Sequence, residues 1–276
     1  MDKPKNIISY KIRNFIFNFI EKRGYFVLTP TGRSSLIDFF TRLKPVSIQD
    51  DLIRIGGEAD GGYLVPNCLE GVEACFSPGV ADSAGFEEEL FHRHKIKSHL
   101  ADYSVDKMPI ENNKFSFTKK YIDVFQSKEN IRLSDWMSQV ENIEDNKDFI
   151  LQMDIESAEW RVLYDTPVEI LKKFRVMVIE FHGFSTHLLQ PVSFRLMDNL
   201  FRKILDNFSV VHIHPNNCLP VGVMQDIRIP EIVEITFLRK DFVNDSNKEL
   251  TYPHSLDKKN VPEYEDIIMQ QIWNLK

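Results

Sequence analysis

The 276-residue chain is 43% hydrophobic and 12% aromatic with a net charge of −7, the balance of a globular protein rather than a disordered one. That length fits one large domain or a domain with a cap, and the acidic balance argues against a nucleic-acid partner. Cys68, Cys75 and Cys218 follow no metal-ligand spacing and suit a reducing, cytoplasmic setting.

The first segment, "NIISYKIRNFIFNFIEKRGYFVL", is interrupted by Lys11, Arg13, Glu21, Lys22 and Arg23 and has no small-residue cleavage site. Neither a membrane span nor a signal peptide is expected there. Ile8, Ile12, Phe15, Ile16, Phe19 and Ile20 recur at helical spacing. The expectation is a helix packed on its own domain or on a second subunit, giving a homodimer. A helix resting on a membrane surface is the alternative.

After Pro45, "DLIRIGGEADGGYLVP" reads as strand, turn and strand, with Asp60-Gly61-Gly62 as the turn. "VEACFSPG" is a short strand, and "SAGFEEELFHRH" is a helix with serine in cap position, acids early and bases late. "IKSHLADYS" and "KFSFTKKYIDV" are further strands, and "LSDWMSQVE" is a helix opened by Ser134 or Asp135. "DFILQMDI" is a strand and "SAEWRVLYD" a helix begun by Ser157. "FRVMVIEFHG" is almost wholly apolar until Glu180, as a strand buried on both faces would be. An amphipathic helix, "VSFRLMDNLFRKILDNF", precedes the strands "SVVHIHPNN" and "EIVEITFLRK" and a polar tail. Strands alternating with helices predict a doubly wound, mainly parallel α/β sheet.

Ligands of such sheets bind at the carboxyl ends of the strands. Those ends here carry Ser77-Pro78-Gly79, Asp102, Asp154, Glu180 with His182, and His212 with His214, followed by Asn216 and Asn217. Gly79 is expected to let the backbone approach a ligand, and Asp102 to meet ribose hydroxyls, which together read as a nucleoside cofactor site. The dinucleotide fingerprint is missing: Ala81 stands two after Gly79 and no third glycine follows at the usual spacing. Asp154 is carried into the cleft by the mainly apolar run Phe149 to Met153, while Glu156 and Glu159 also suit a helix N-terminus with no further role. Asp154, Glu180 and His182 form a candidate set for a divalent cation. The other reading makes His182 or His214 a general base without metal, and the residues leave both open.

"RIGGEADGGYLVP", "FSPGVADSAGFEEEL", "LSDW", "LQMDIESAEWRVL" and "VIEFHGF" together resemble the FkbM-type family of S-adenosylmethionine-dependent methyltransferases, from about Asp51 to Lys240. The resemblance implies a class I methyltransferase-like, Rossmann-like fold, with a mainly parallel seven-stranded sheet whose last strand is antiparallel. It implies an N-terminal helical extension (1–47), the methyltransferase domain (48–242) and a tail packed on it (243–276). S-adenosyl-L-methionine is the implied cofactor, and the implied activity is O-methylation of a sugar or glycosylated acceptor, in polysaccharide or natural-product biosynthesis. Ser77 and Gly79 match the cofactor loop, Asp102 the ribose-binding acid, and Asp154 the acid facing the transferred methyl group. Gly61, Gly62 and Tyr63 match a loop closing over the cofactor. Ala81 and Ser157 stand where the family often has glycine. The competing expectations are a metal-dependent hydrolase built on Asp154, Glu180 and His182, and a non-catalytic relative that only binds.

Overall fold

The computed structural model describes residues 7–25, 29–143, 147–224 and 226–268, with side chains from residue 11 onward. Residues 1–6 of the expected N-terminal extension and 269–276 of the expected tail lie outside the described residues, as does the side chain of Ile8. Helices α1 (Ile7–Glu21) and α2 (Arg33–Arg42) come first, followed by a hairpin of β1 (Leu52–Ile55) and β2 (Tyr63–Pro66). Then come β3 (Val72–Pro78), α3 (Gly85–His94), β4 (Lys97–Ala101), β5 (Ser116–Thr118), β6 (Tyr121–Ile122), β7 (Asn130–Ile131) and α4 (Leu133–Val140). The second half runs β8 (Asp148–Met153), α5 (Glu159–Asp165), α6 (Val168–Leu171), β9 (Phe174–Phe181), α7 (Phe184–Leu189) and α8 (Pro191–Leu205). It closes with β10 (Phe208–Asn216), β11 (Gly222–Met224), β12 (Ile227–Ile229) and β13 (Ile232–Arg239).

Seven strands form the central sheet in the order β10-β13-β9-β8-β3-β4-β5. Every neighbouring pair is parallel except the two made by β13, which runs antiparallel to both β9 and β10. The chain therefore starts the sheet at β3, winds outward to β5, returns through β8 and β9, and inserts its last strand between β9 and β10. This is the mixed α/β, mainly parallel and Rossmann-like sheet expected from the sequence.

One face of the sheet packs Phe76, Phe149, Met177, Phe181 and Phe237 against α2, α4, α5, α7 and α8. Leu36, Phe39 and Phe40 of α2 are buried there, each worth ~1.5–3 kcal/mol of apolar burial. The other face packs Cys75, Ile150, Val176 and Val178 against the hairpin and Phe86 and Leu90 of α3. Both faces being covered explains why β9 is buried at every position.

Several expectations change. The three expected serine or aspartate caps are not used: α3, α4 and α5 begin after Ala84, Arg132 and Ala158, with no side-chain cap bond. Before α5 the reason is local, because Glu156 and Ser157 both take left-handed φ values of 53° and 76° and delay the helix. "KFSFTKKYIDV" splits into β5 at the sheet edge and β6, which pairs with β7. Helix α1 forms, but Ile12, Phe15, Ile16 and Phe19 stand exposed instead of packing on the domain. Among the described residues no helix is long and apolar enough to cross a membrane.

Candidate functional site

The turn after β3 and the turn after β8 touch. Gly79 has φ +89°, and a Cβ there would lie 1.5 Å from the Asp154 carbonyl oxygen. Contact between the two turns is by itself enough to require glycine at this position. One strand over, Asp102 is buried and organises its own loop. Its Oδ2 accepts the Ala81 N–H at 2.9 Å, and its Oδ1 accepts the Ser104 N–H and hydroxyl at 2.7 Å each.

A cavity of about 490 Å³ opens at these strand ends, lined by Gly79, Ala81, Asp102, Tyr121, Asp123, Asp154 and Glu156 among others. A smaller cavity of about 150 Å³ adjoins it, sharing Gly79, Ala81 and Asp154 and adding Asp60, Gly61, Tyr63, Ser83 and the start of α3. Asp102, Gly79, Asp154, Gly61 and Tyr63 are therefore gathered around two adjoining cavities, with Gly79 and Asp154 on the wall of both. Ser77 is fully buried beneath it, its hydroxyl bridging Glu87 and Gln152 Oε1 (2.6 Å to the latter). Gly62 lines neither cavity; a Cβ there would lie 2.1 Å from the Gly57 carbonyl oxygen, so it shapes the hairpin loop. A separate apolar groove of about 440 Å³ between α5 and α8 is lined by Trp160, Leu196 and Leu200 and holds none of these residues.

Beside Asp154 stands His182, just past β9. Its Nε2 lies 3.6 Å from Glu156, 3.8 Å from Asp154 and 3.9 Å from Glu180, and its Nδ1 lies 3.2 Å from Glu159. Glu159 is fully buried, and the same Oε1 accepts the N–H groups of Ile155 (2.9 Å) and Ser157 (3.3 Å). It ties the left-handed turn to the imidazole, a role the sequence left undecided. Burial raises the Asp154 carboxyl to about 7, against the pull of His182. Burial also raises Glu180, reinforced by Glu234 and Asp154. Burial pulls His182 down, but the hydrogen bond and charge of Glu159, with Asp154 and Glu156, carry it above the usual range.

One ligand atom from each of Asp154, Glu180 and His182 lies within 4.8 Å of the other two, and Asp154 Oδ1 has no hydrogen-bond partner. Two carboxylates and an imidazole at that spacing fit a divalent cation.

The expected pair on β10 is drawn elsewhere. His212 Nε2 lies 3.0 Å from Asp257 Oδ1 and His214 Nδ1 3.7 Å from Asp257 Oδ2. Asp257 belongs to the segment after β13 and is itself buried, so His214 faces this segment and lines neither cavity. Burial pulls His214 down, yet the nearby Asp257 carboxylate and the charge of Glu234 bring it to about 9. The same segment places Asn260 Nδ2 2.7 Å from Glu234 Oε1 and 3.0 Å from Asp60 Oδ1. Asn217 anchors it, accepting the Val261 N–H at 2.8 Å.

Glu87, Gln152, Glu234, Asp257 and Asn260 were not singled out in the sequence. Glu234 is near the start of β13, and an antiparallel strand presents its amino end where its neighbours present carboxyl ends. Only the polar interruption of "EIVEITFLRK" hinted at it.

No known protein-family model matches the chain, and no curated protein matches it. Among solved structures, a match to the crystal structure of a fibrillarin/Nop5p complex is 13% identical and covers 62% of this chain and 74% of that one, with a TM-score of 0.37. What the sheet order and the strand-end cavities define is a Rossmann-like α/β protein with an acidic cleft and His182 beside its Asp154.

Proposed function

We propose that this chain is an S-adenosylmethionine-dependent methyltransferase acting on a hydroxyl of a sugar or glycosylated small molecule, such as a polysaccharide unit. The observation that supports it is the pair of adjoining strand-end cavities, one lined by Asp102, the other by Gly61 and Tyr63, and both by Gly79 and Asp154. Of the motifs that resemble the FkbM-type family, "RIGGEADGGYLVP", "FSPGVADSAGFEEEL" and "LQMDIESAEWRVL" contribute residues to these linings.

Bound S-adenosylmethionine supplies a methyl group on a sulfonium, which is transferred to oxygen in line. Asp102 Oδ2, which accepts only the Ala81 N–H, keeps a lone pair for a ribose hydroxyl. Gly61 and Tyr63 line the smaller cavity. An alcohol is a weak nucleophile at neutral pH, so its proton must be taken as the new bond forms. Asp154, whose carboxyl is raised to about 7 by burial, lies 3.8 Å from His182 and can take that proton. A divalent cation on Asp154, Glu180 and His182 would acidify the acceptor hydroxyl instead.

Calorimetric titration with S-adenosylhomocysteine, with and without Mg²⁺ or Mn²⁺, tests the reading. Saturable binding that Asp102→Ala weakens at least tenfold is expected. No binding under either condition overturns it and favours the hydrolase or the non-catalytic relative.

A further inference from the structure

Glu180 on β9 and Glu234 on β13 are direct partners in the antiparallel register, and both are buried, at 4% and 6% exposure. Like charges directly opposite each other on one face of a sheet repel, and burial removes the water that would screen them. A third carboxylate, Asp60 at the tip of the β1–β2 hairpin, joins them: one oxygen from each of the three lies within 4.8 Å of the other two. Glu180 receives hydrogen bonds from Asn216 (3.0 Å) and Tyr63 (3.4 Å), and the imidazoles of His182, His212 and His214 stand beside the cluster.

An independent feature is the Asn260 side chain. The residue is 7% exposed, and its amide lies between Asp60 and Glu234 while its Oδ1 has no partner. Turning that amide by half a revolution would bring Oδ1 to the place of Nδ2, about 3 Å from a Glu234 and an Asp60 oxygen. Such a separation would repel two oxygens by themselves. It is the spacing of adjacent ligands around one octahedral ion with bonds of about 2.1 Å.

We propose that Asp60, Glu180, Glu234 and the Asn260 carbonyl oxygen form a binding site for a hard divalent cation, Mg²⁺, Mn²⁺ or Ca²⁺. Four oxygen donors without sulfur or imidazole select such ions over zinc or copper. The site joins three parts of the chain: the hairpin through Asp60, the sheet through Glu180 and Glu234, and the segment after β13 through Asn260. Ion binding would clamp the hairpin and that segment over the cleft. Glu180 is shared with the Asp154–His182 set, but the other ligands are different. The inference does not depend on the methyltransferase reading.

The test is Mn²⁺ binding by the full chain without any cofactor, followed by electron paramagnetic resonance of the free ion, with thermal unfolding recorded in parallel. Wild type is expected to bind Mn²⁺ and melt higher in its presence. Glu234→Gln and Asp60→Asn should each weaken binding at least tenfold, whereas Asp154→Ala and His182→Ala should retain it. Asp60 is exposed, so Asp60→Asn gives a folded variant even if Glu234→Gln does not. Failure of wild type to bind, or wild-type affinity in folded Asp60→Asn, overturns the proposal. Loss of all binding in Asp154→Ala alone would also overturn it, by assigning the ion to the neighbouring set.

Discussion

Glu159 Oε1 stands 3.2 Å from His182 Nδ1 while it also accepts the N–H groups of Ile155 and Ser157. One buried carboxylate thereby fixes the turn that carries Asp154 and Glu156 and the orientation of the imidazole that faces them. His182 Nε2 is left to face Asp154, Glu156 and Glu180.

Glu159→Gln keeps the shape but replaces a charged acceptor with a neutral amide. The turn's N–H groups lose a charge-assisted acceptor, so stability should fall by about 1–3 kcal/mol. The His182 titration should move down, because the carboxylate that favours its protonated form is gone. Urea unfolding and imidazole NMR titration read the two effects separately.

Gly79→Ala should be among the most damaging single substitutions. Its Cβ would lie 1.5 Å from the Asp154 carbonyl oxygen, and φ +89° is hostile to a side chain. The turns must separate, at a cost of about 3 kcal/mol or more. Denaturant unfolding should show the loss without any ligand present.

Ser157→Gly should do the opposite. Ser157 holds φ +76°, a conformation that costs a non-glycine residue ~1 kcal/mol. Part of the relief is offset by the greater freedom of glycine in the unfolded chain, leaving a gain of about 0.5 kcal/mol. A small rise in melting temperature is the expected result.

Stability should fall as pH rises from about 4 to about 7. Asp154 has a folded value near 7 against an ordinary 3.8, so its contribution is complete below 3.8 and lost as pH passes through 7. His182, also raised, loses its contribution in the same direction at higher pH. Asp154→Asn should flatten this decline and be more stable than wild type at pH 8. Melting temperatures of both proteins at pH 4 to 8 check it.

The alternation of strands and helices was legible because each buried strand leaves an apolar run and each surface helix leaves a 3.6-residue pattern. "DFILQM" and "FRVMVIEF" became β8 and β9 at almost the expected bounds. Asp102, Asp154, Glu180 and His182 were found by one rule, since each ends a parallel strand. Helix starts were less legible: left-handed Glu156 and Ser157 set the beginning of α5, and a serine beside a turn looks the same whether or not it caps.

The sequence by itself determined the layered α/β architecture and the strand ends at which polar groups collect, because both are local properties of periodicity and strand termination. Only the tertiary structure decided which of those groups meet. It turned β13 around, bringing Glu234 opposite Glu180, and it laid the segment with Asp257 and Asn260 against β10 and the hairpin tip. Those residues lie 26 to 200 positions from their partners. Contacts at such separations depend on how the whole sheet closes, and a local pattern does not encode them.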